Sequence, residues 1–347
     1  MMTLILLIRR CKINMEEKTI KNISDDNILI AENIKQYFPV KNMLGRTVQH
    51  VKAVDGISVT LKRGETYGLV GESGCGKSTF GRTLLKLLEP SDGKIIFDGQ
   101  DITKYGRKQM RDMRKKMQMM FQDPYTSLNP RKKVGKILEE VLEIHNICPP
   151  NQRMQVSLDI LEKVGLRKEH YFRYPYEFSG GQRQRIGMAR ALLLKPELIV
   201  CDEPVSALDV SIQAQIINML LDLQQELGLS YLFISHDMSV VKYISNRVGV
   251  MYLGHLVEEA VTDDLFGMPL HPYTQALLSA VPSTNHNVRK ERTVLQGDIP
   301  SPINPPSGCP FHTRCHYAMP ICEKECPHMK EIMPSHKVCC HLYSLDK

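Results

Sequence analysis

A glycine-rich loop between an apolar strand and a helix is the feature that most restricts how this 347-residue chain can fold. Residues 71–79 read Gly-Glu-Ser-Gly-Cys-Gly-Lys-Ser-Thr and fit the pattern G-x-x-x-x-G-K-[ST]. A predicted strand over residues 66–70 precedes the loop, and a predicted helix over residues 80–88 follows it. Glycines let such a loop curl until its backbone N–H groups point inward at phosphate oxygens. In this context the pattern favours an α/β nucleotide-binding fold over a glycine turn beside an unrelated lysine.

Each residue type in this phosphate loop has a chemical use. Lys77 would reach the β- and γ-phosphates, and the Ser78 hydroxyl would bind Mg²⁺. Thr79 would lie near the start of the next helix, whose positive end favours anions. The predicted ATP-binding residues of the loop are Gly71, Glu72, Ser73, Gly74, Cys75, Gly76, Lys77, Ser78 and Thr79.

Two acids end an apolar strand at residues 198–203, which read Leu-Ile-Val-Cys-Asp-Glu. Ligands of open α/β sheets bind at the carboxyl ends of strands. Asp202 would hold Mg²⁺, directly or through water, and Glu203 would polarise the attacking water. Beside a phosphate loop this reading is favoured over two solvated acids, so the pair indicates hydrolysis of ATP.

The composition, with 42% hydrophobic and 24% charged residues, is ordinary for a globular protein. The net charge of +7 is dispersed, and the densest basic cluster, residues 107–116, predicts a surface helix rather than a nucleic-acid site. The longest early apolar run, residues 4–8, is far below the ~20 residues of a membrane-spanning helix. Met15 is a plausible true start, which would leave residues 1–14 untranslated.

Pattern changes along the chain predict three parts. Residues 1–27 are expected to be a disordered extension, residues 28–282 the nucleotide-binding domain, and residues 283–347 a proline-punctuated, cysteine-rich tail. Within the domain, β-formers at 28–34 and 51–61 predict strands around a loop at 41–50. Helical spacing over about 129–178 predicts a helical insert.

Several short motifs, in chain order, resemble those of ABC ATPases. Residues 178–182, Phe-Ser-Gly-Gly-Gln, resemble the signature motif, which usually begins with Leu. Gln122 resembles the Q-loop glutamine, residues 206–209 the D-loop, and His236 the switch histidine. The resemblance implies an α/β fold with an ABC-type P-loop NTPase core, an antiparallel β subdomain and a helical insert.

In that family ATP is sandwiched between the phosphate loop of one subunit and the signature of an identical or paralogous partner. The resemblance therefore implies that Gln122 senses the metal and the transporter, and that His236 contacts the γ-phosphate beside the catalytic Glu203. Tyr37 is expected to stack on adenine, with Phe38 as the next candidate and a core aromatic as the alternative. The second set of predicted ATP-binding residues is Ser179, Gly180, Gly181 and Gln182.

Further stretches resemble the peptide-importer ATPases of the oligopeptide/dipeptide permease group. They are residues 121–124, 127–130, 271–274 and the tail from 308 to 341. The resemblance implies import of oligopeptides or dipeptides from a peripheral position on the cytoplasmic face of the membrane. The implied partners are two transmembrane permease subunits and an extracytoplasmic solute-binding protein, with no nucleic acid. Nickel importers share most of the pattern, so nickel is the alternative cargo. A non-transport ABC ATPase is less favoured, because the chain has one compact cassette.

Six of the ten cysteines lie after residue 308. Without a secretion signal, such clustering favours a metal or iron–sulfur centre over disulfides. In members of the resembling group the tail holds a [4Fe–4S] cluster, with Cys339 here competing for the fourth ligand position. Zinc is the rival occupant, because five histidines share the stretch; a tail without metal is the third reading. The matching ligands are Cys309, Cys315, Cys322 and Cys340.

Overall fold

The computed structural model describes residues 26–123, 128–280, 295 and 297–343. The extension predicted for residues 1–27 lies almost wholly outside the described residues, and so does the boundary predicted at residues 282–283. Among the helices of the described part, none has the length and apolarity needed to cross a membrane.

A four-stranded antiparallel sheet forms the first layer, in the order β2-β1-β4-β5. β1 and β2 pair from Asn27 opposite Lys62 to Lys41 opposite Thr47, so the loop predicted at 41–50 is much shorter. The Asn42 side-chain oxygen accepts N–H bonds from Leu44 and Arg46 and closes the hairpin, so pairing continues close to its tip. The strands are β1 (Asn27–Lys41), β2 (Thr47–Lys62), β4 (Asp92–Phe97) and β5 (Gln100–Asp101).

An eight-stranded sheet forms the second layer, in the order β11-β12-β10-β9-β3-β8-β7-β6. Strands β6 to β9 and β3 are parallel, and every residue of β3, β7 and β8 is buried, as expected of parallel strands covered on both faces. The five are β3 (Thr66–Val70), β6 (Met117–Met120), β7 (Leu198–Asp202), β8 (Ser230–Ile234) and β9 (Arg247–Tyr252).

Antiparallel strands continue this sheet beyond β9. They are β10 (His255–Val261), β11 (Lys330–Met333) and β12 (His336–Val338). Since β12 pairs with β10 at Glu258 and Glu259, the C-terminal segment adds two strands to the edge of the nucleotide-binding domain's own sheet.

Helix α1 (Lys77–Leu84) follows the phosphate loop and contacts β1 and β2 of one sheet and β7 and β8 of the other. A Cβ at Gly81 would lie 2.8 Å from Ile234 Cδ1, so a glycine is needed for this close packing. The predicted surface helix is α2 (Arg107–Lys116), in which only Met110 is buried.

Three helices make the helical insert and its junction with the sheet. They are α3 (Val134–Ile144), α4 (Pro150–Lys163) and α5 (Gly180–Leu192), with 3₁₀ turns at Lys168–Phe172 and Pro175–Glu177. α3 and α4 pack on each other and on α5. The remaining helices are α6 (Val210–Leu227), α7 (Met238–Ile244), α8 (Thr262–Gly267), α9 (Pro272–Ser279) and α10 (Pro320–Lys324), with 3₁₀ turns at His312–Arg314 and His341–Tyr343. The predicted α/β architecture, with its antiparallel sheet and helices, is confirmed.

Candidate functional site

The phosphate loop is pressed against the backbone of two strands, β9 at Met251 and β2 at Ala53. A Cβ at Gly71 would lie 2.2 Å from the Met251 carbonyl oxygen, and one at Gly76 would lie 2.0 Å from that of Ala53. Both glycines also have positive φ, 152° and 103°. Since a side chain fits at neither position, the loop keeps its curl only with glycine there.

Lys77 and Ser78 project from the start of α1 into the site. The buried Lys77 ammonium donates to the carbonyl oxygens of Gly71, at 2.7 Å, and Glu72, at 3.0 Å, and so lies across the mouth of the loop. The Ser78 hydroxyl donates to Asp202 Oδ1 at 2.6 Å. Burial raises the pKa of Asp202, which the Ser78 hydrogen bond and Arg82 oppose. The hydroxyl and carboxylate form an all-oxygen donor set of the kind Mg²⁺ prefers.

Glu203 follows β7 in a left-handed conformation, with φ of 46°. Its N–H donates to the Ile234 carbonyl at 3.0 Å, which compensates for a backbone geometry rare outside glycine. Gln122 donates to Glu203 Oε2 at 2.9 Å, and His236 Nδ1 lies 3.4 Å from Oε1. Side chains that follow β6, β7 and β8 therefore meet at one carboxylate.

These residues share one cavity of about 370 Å³. Its lining includes Lys77, Ser78, Gln122, Glu203 and His236, so the structure brings together the predicted phosphate, water and γ-phosphate groups. A site with the Lys77 ammonium, the Ser78 hydroxyl and the Glu203 carboxylate can bind a triphosphate and orient water for its hydrolysis.

The predicted signature lines a separate cavity of about 570 Å³. Ser179 caps α5 by accepting from the Gln182 N–H at 3.4 Å, and Gln182 Oε1 accepts from the Ser179 N–H at 3.1 Å. The positive end of α5 thus begins at Ser179, Gly180 and Gly181, which line this cavity. The 370 Å³ cavity is lined by none of these four residues, so within the chain the signature does not complete the phosphate-loop site.

Tyr37 is placed beside the site rather than in its lining. Its hydroxyl hydrogen-bonds to Asp55, and Lys52 Nζ lies 5.8 Å from its ring centre. The wall at this end is made by Val51, Lys52, Ala53 and Pro302. Stacking of Tyr37 on adenine stays a prediction.

Three residues near the phosphate loop were not predicted from the sequence to lie there. Arg314 forms a two-pronged ion pair with Glu72, and the Tyr273 hydroxyl accepts the Glu72 N–H at 2.8 Å. Pro302 lines the cavity and accepts the Lys52 N–H at 3.1 Å. Arg314 and Tyr273 stand in stretches that carry the peptide-permease resemblance, but nothing in the sequence says that these stretches reach the phosphate loop.

The predicted [4Fe–4S] cluster and its zinc alternative are wrong. In the part of the chain that the structure describes, no three His, Cys, Asp or Glu side chains are grouped to hold a metal ion. Burial raises the pKa of Cys309 to about 12 and that of Cys340 to about 11, which favours thiols over the thiolates that bind metals. Cys339 donates its S–H to the Pro327 carbonyl at 2.8 Å. The rejected ligand set is Cys309, Cys315, Cys322 and Cys340.

Three of the five histidines in this stretch make hydrogen bonds elsewhere. A ring nitrogen of His312 lies 2.9 Å from the Cys309 carbonyl oxygen, and one of His341 lies 2.9 Å from that of Glu325. His336 is fully buried and lies 2.7 Å from Glu258. These contacts fix the segment through ordinary hydrogen bonds.

Comparison with known sequences gives two family matches. Residues 54–206 match the family described as ABC transporter, and residues 257–322 match the family described as oligopeptide/dipeptide transporter, C-terminal region. The oligopeptide transport ATP-binding protein AppF of Bacillus subtilis is 56% identical over 325 residues, which cover 92% of this chain and 99% of the relative. The dipeptide transport ATP-binding protein DppF of Escherichia coli is 52% identical, covering 88% and 91%. A putative peptide import ATP-binding protein of Brucella ovis is 54% identical, covering 84% and 92%.

Solved structures agree on the fold over part of the chain. The cbiO1 subunit of Clostridium perfringens superposes with a TM-score of 0.61 at 27% identity, covering 70% of this chain and 92% of its own. A nucleotide-free cassette from an ABC transporter superposes with a TM-score of 0.56 at 26% identity, covering 68% and 91%. Nearly whole cassettes thus account for about 70% of this chain.

Proposed function

This chain belongs to the ABC transporter family and, within it, to the oligopeptide and dipeptide transport ATP-binding proteins, and from that premise we propose that it hydrolyses ATP to energise peptide import. The carrying observation is the cavity lined by Lys77, Ser78 and Glu203, with the buried Asp202 hydrogen-bonded to Ser78 behind its wall. The relatives are named for oligopeptides, dipeptides and peptide import, so the nickel alternative is not favoured.

Six side chains at the cavity have a part in hydrolysis. Lys77 and the loop N–H groups would bind the β- and γ-phosphates, and Ser78, Asp202 and Gln122 would hold Mg²⁺. When bound there, Mg²⁺ would neutralise charge on the phosphates. Glu203 orients the attacking water and takes up its proton. His236, 3.4 Å from that carboxylate, stabilises the γ-phosphate.

We propose that two ATPase subunits, identical or paralogous, complete each other's sites. The separate cavity at the signature supports this, because Ser179, Gly180 and Gly181 line it at a helix start and no residue of the chain's own phosphate loop does. Such a helix terminus suits a γ-phosphate from a partner. The isolated chain should therefore be a poor ATPase whose specific activity rises with concentration.

The chain works at the cytoplasmic face of the membrane, bound peripherally to two permease subunits, with a solute-binding protein in the full importer. A groove of about 570 Å³ between α2 and α3 fits a permease segment. Exposed Leu87, Phe121 and Ile144 line it, and Phe121 adjoins Gln122, which contacts Glu203. A segment in this groove would thereby influence the water-orienting carboxylate.

We propose that the chain consists of an extension at 1–27, an ABC domain at 28–282 and a C-terminal part at 283–347. We also propose that the cysteine-rich C-terminal part distinguishes the peptide group from minimal cassettes. The match of residues 257–322 to the peptide-transporter C-terminal family supports this.

The test is the purified importer assembled with its permease and binding protein in liposomes. Peptide added with the binding protein should stimulate ATP hydrolysis and accumulate inside the vesicles, while labelled Ni²⁺ should do neither. Parallel vesicles with the Lys77→Ala subunit supply the background. Nickel accumulation without peptide accumulation would overturn the assignment of cargo, and ATP-independent uptake would overturn the motor.

A further inference from the structure

Glu72, the second residue of the phosphate loop, is held on three sides. Its N–H donates to the Tyr273 hydroxyl at 2.8 Å, and its carbonyl oxygen accepts from Lys77 Nζ at 3.0 Å. Its carboxylate accepts from two nitrogens of Arg314, at 2.7 and 3.1 Å. Because the Lys77 ammonium donates to the Glu72 carbonyl oxygen, a shift of the Glu72 backbone would also shift the ammonium that binds phosphate.

Arg314 comes from the C-terminal segment and is firmly seated. Its side chain is only 6% exposed, and its guanidinium carbon lies 5.9 Å from the Tyr252 ring centre. Three residues before it, Phe311 is fully buried against Tyr252 and Tyr273, with ring centres 5.2 and 5.4 Å apart. The turn that carries Arg314 is therefore anchored to the two tyrosines that flank the loop.

The pair also matters for charge. Glu72 is an anion within a loop that would bind a polyanion, and only 23% of its side chain is exposed. A partly buried carboxylate without a partner would repel phosphate through a weakly screened field. Arg314 neutralises it with the two parallel hydrogen bonds that a guanidinium makes best.

We propose that Arg314 is a positioning residue of the ATPase, which fixes and neutralises Glu72 and so makes the C-terminal segment a determinant of phosphate affinity. This rests on the proposed ATPase function. The solved cassettes cover 68–70% of this chain. A second contact supports its part in the site, because Pro302 lines the same cavity and bonds to Lys52.

Isothermal titration of the purified full chain with MgATP tests the proposal. Arg314→Gln should raise the Kd about tenfold, or about 1.4 kcal/mol, a usual size for coupling within one ion-pair network. The double variant Arg314→Gln with Glu72→Gln removes the unpaired charge and should recover most of the affinity. A merely structural role predicts no such recovery. Should Arg314→Gln fail to fold, the charge-preserving Arg314→Lys should bind ATP between parent and tenfold weaker, since it keeps the charge but not the fork.

Arg247→Gln is the matched control. Arg247 on β9 forms an ion pair with Glu259 on the neighbouring strand β10, away from the phosphate loop. Both side chains are largely buried, as in the Arg314–Glu72 pair. This change should lower the melting temperature and leave the ATP Kd within about twofold of the parent. ATP affinity of Arg314→Gln within twofold of the parent would overturn the inference, as would a double variant no tighter than the single one. If Lys77→Ala loses ATP binding in the same assay, only the inference falls and the ATPase assignment stands.

Discussion

Replacing Glu203 by Gln tests the hydrolytic site with little change of shape. Gln122 donates to Glu203 Oε2 at 2.9 Å, and a glutamine oxygen at the same place accepts that bond. The new amide group would face His236 Nδ1, which now lies 3.4 Å from Oε1 and accepts a hydrogen bond in its Nε2-protonated form. The backbone bond from residue 203 to Ile234 is untouched. The variant should therefore fold, melt close to the parent and bind ATP.

The chemical step should nevertheless slow strongly, because an amide cannot take up the proton of the attacking water. Loss of a positioned general base lowers rates by about 10²–10⁴-fold. At about 1.36 kcal/mol per tenfold, that raises the activation free energy by roughly 3–5 kcal/mol. Phosphate release by the assembled importer at saturating ATP measures it, and gel filtration with ATP should show the variant trapped as a dimer.

Glu197→Gln is the control at the other end of the same strand. Glu197 pairs with Arg63 and Lys116, both partly exposed, so its loss should leave the hydrolysis rate within about twofold of the parent. Parent-like phosphate release by Glu203→Gln would refute its assignment as the water-orienting base. Equal loss in both variants would point to damage of the strand instead.

Two further changes probe the same site, and a third probes the signature helix. Lys77→Ala should raise the ATP Kd by about 10- to 100-fold in titration calorimetry, because it removes charge-assisted hydrogen bonds to phosphate. Parent-like affinity would contradict the assignment of Lys77 to phosphate binding. Burial raises the pKa of Asp202 in the folded chain. The folded state is therefore stabilised at low pH, where Asp202 is protonated, and this stabilisation is lost as the pH rises through the raised pKa. Asp202→Asn should keep this stabilisation at pH 7 and raise the melting temperature of the nucleotide-free chain by about 1–3 °C. Mg²⁺ should no longer strengthen ATP binding by this variant, and an unchanged effect of Mg²⁺ would contradict the assignment of Asp202. Gly181→Ala should lower the free energy of unfolding by about 1–3 kcal/mol in guanidinium titrations, because its Cβ would lie 2.3 Å from Ile212 Cγ2. Adding Ile212→Ala should restore it.

Most residues that meet at the cavity could be picked out from the sequence because their pattern is local. A loop that binds phosphate through its own N–H groups must carry glycines at fixed spacing, and the structure shows why at Gly71 and Gly76. Asp202 and Glu203 were recognisable because they end an apolar strand. The contact from Gln122 to Glu203 joins residues 81 positions apart. It follows from resemblance of motifs, since no local pattern fixes such a distance.

The extent of pairing between β1 and β2 was less predictable. The β1–β2 hairpin extends to Lys41 and Thr47, although the polar stretch between the two predicted strands reads as a loop. Pairing there depends on the turn closed by Asn42 and on the partner strand, because strand preference is set by neighbours more than by the residue itself. Tyr37 shows the same limit, since its hydroxyl is directed by Asp55 on the paired strand.

The cysteine-rich segment shows where composition misleads. A short stretch with few large apolar residues cannot fold alone by burial, and that argument favours a metal centre. The predicted metal centre is wrong because the segment does not fold alone. Phe311 is inserted beside Tyr252 and Tyr273, β12 extends the sheet at β10, and His336 and Arg314 find carboxylates in the nucleotide-binding domain. The ordering free energy comes from the domain to which it docks. A segment stabilised in that way is also one whose changes reach the phosphate loop, because the Arg314–Glu72 pair is part of the docking.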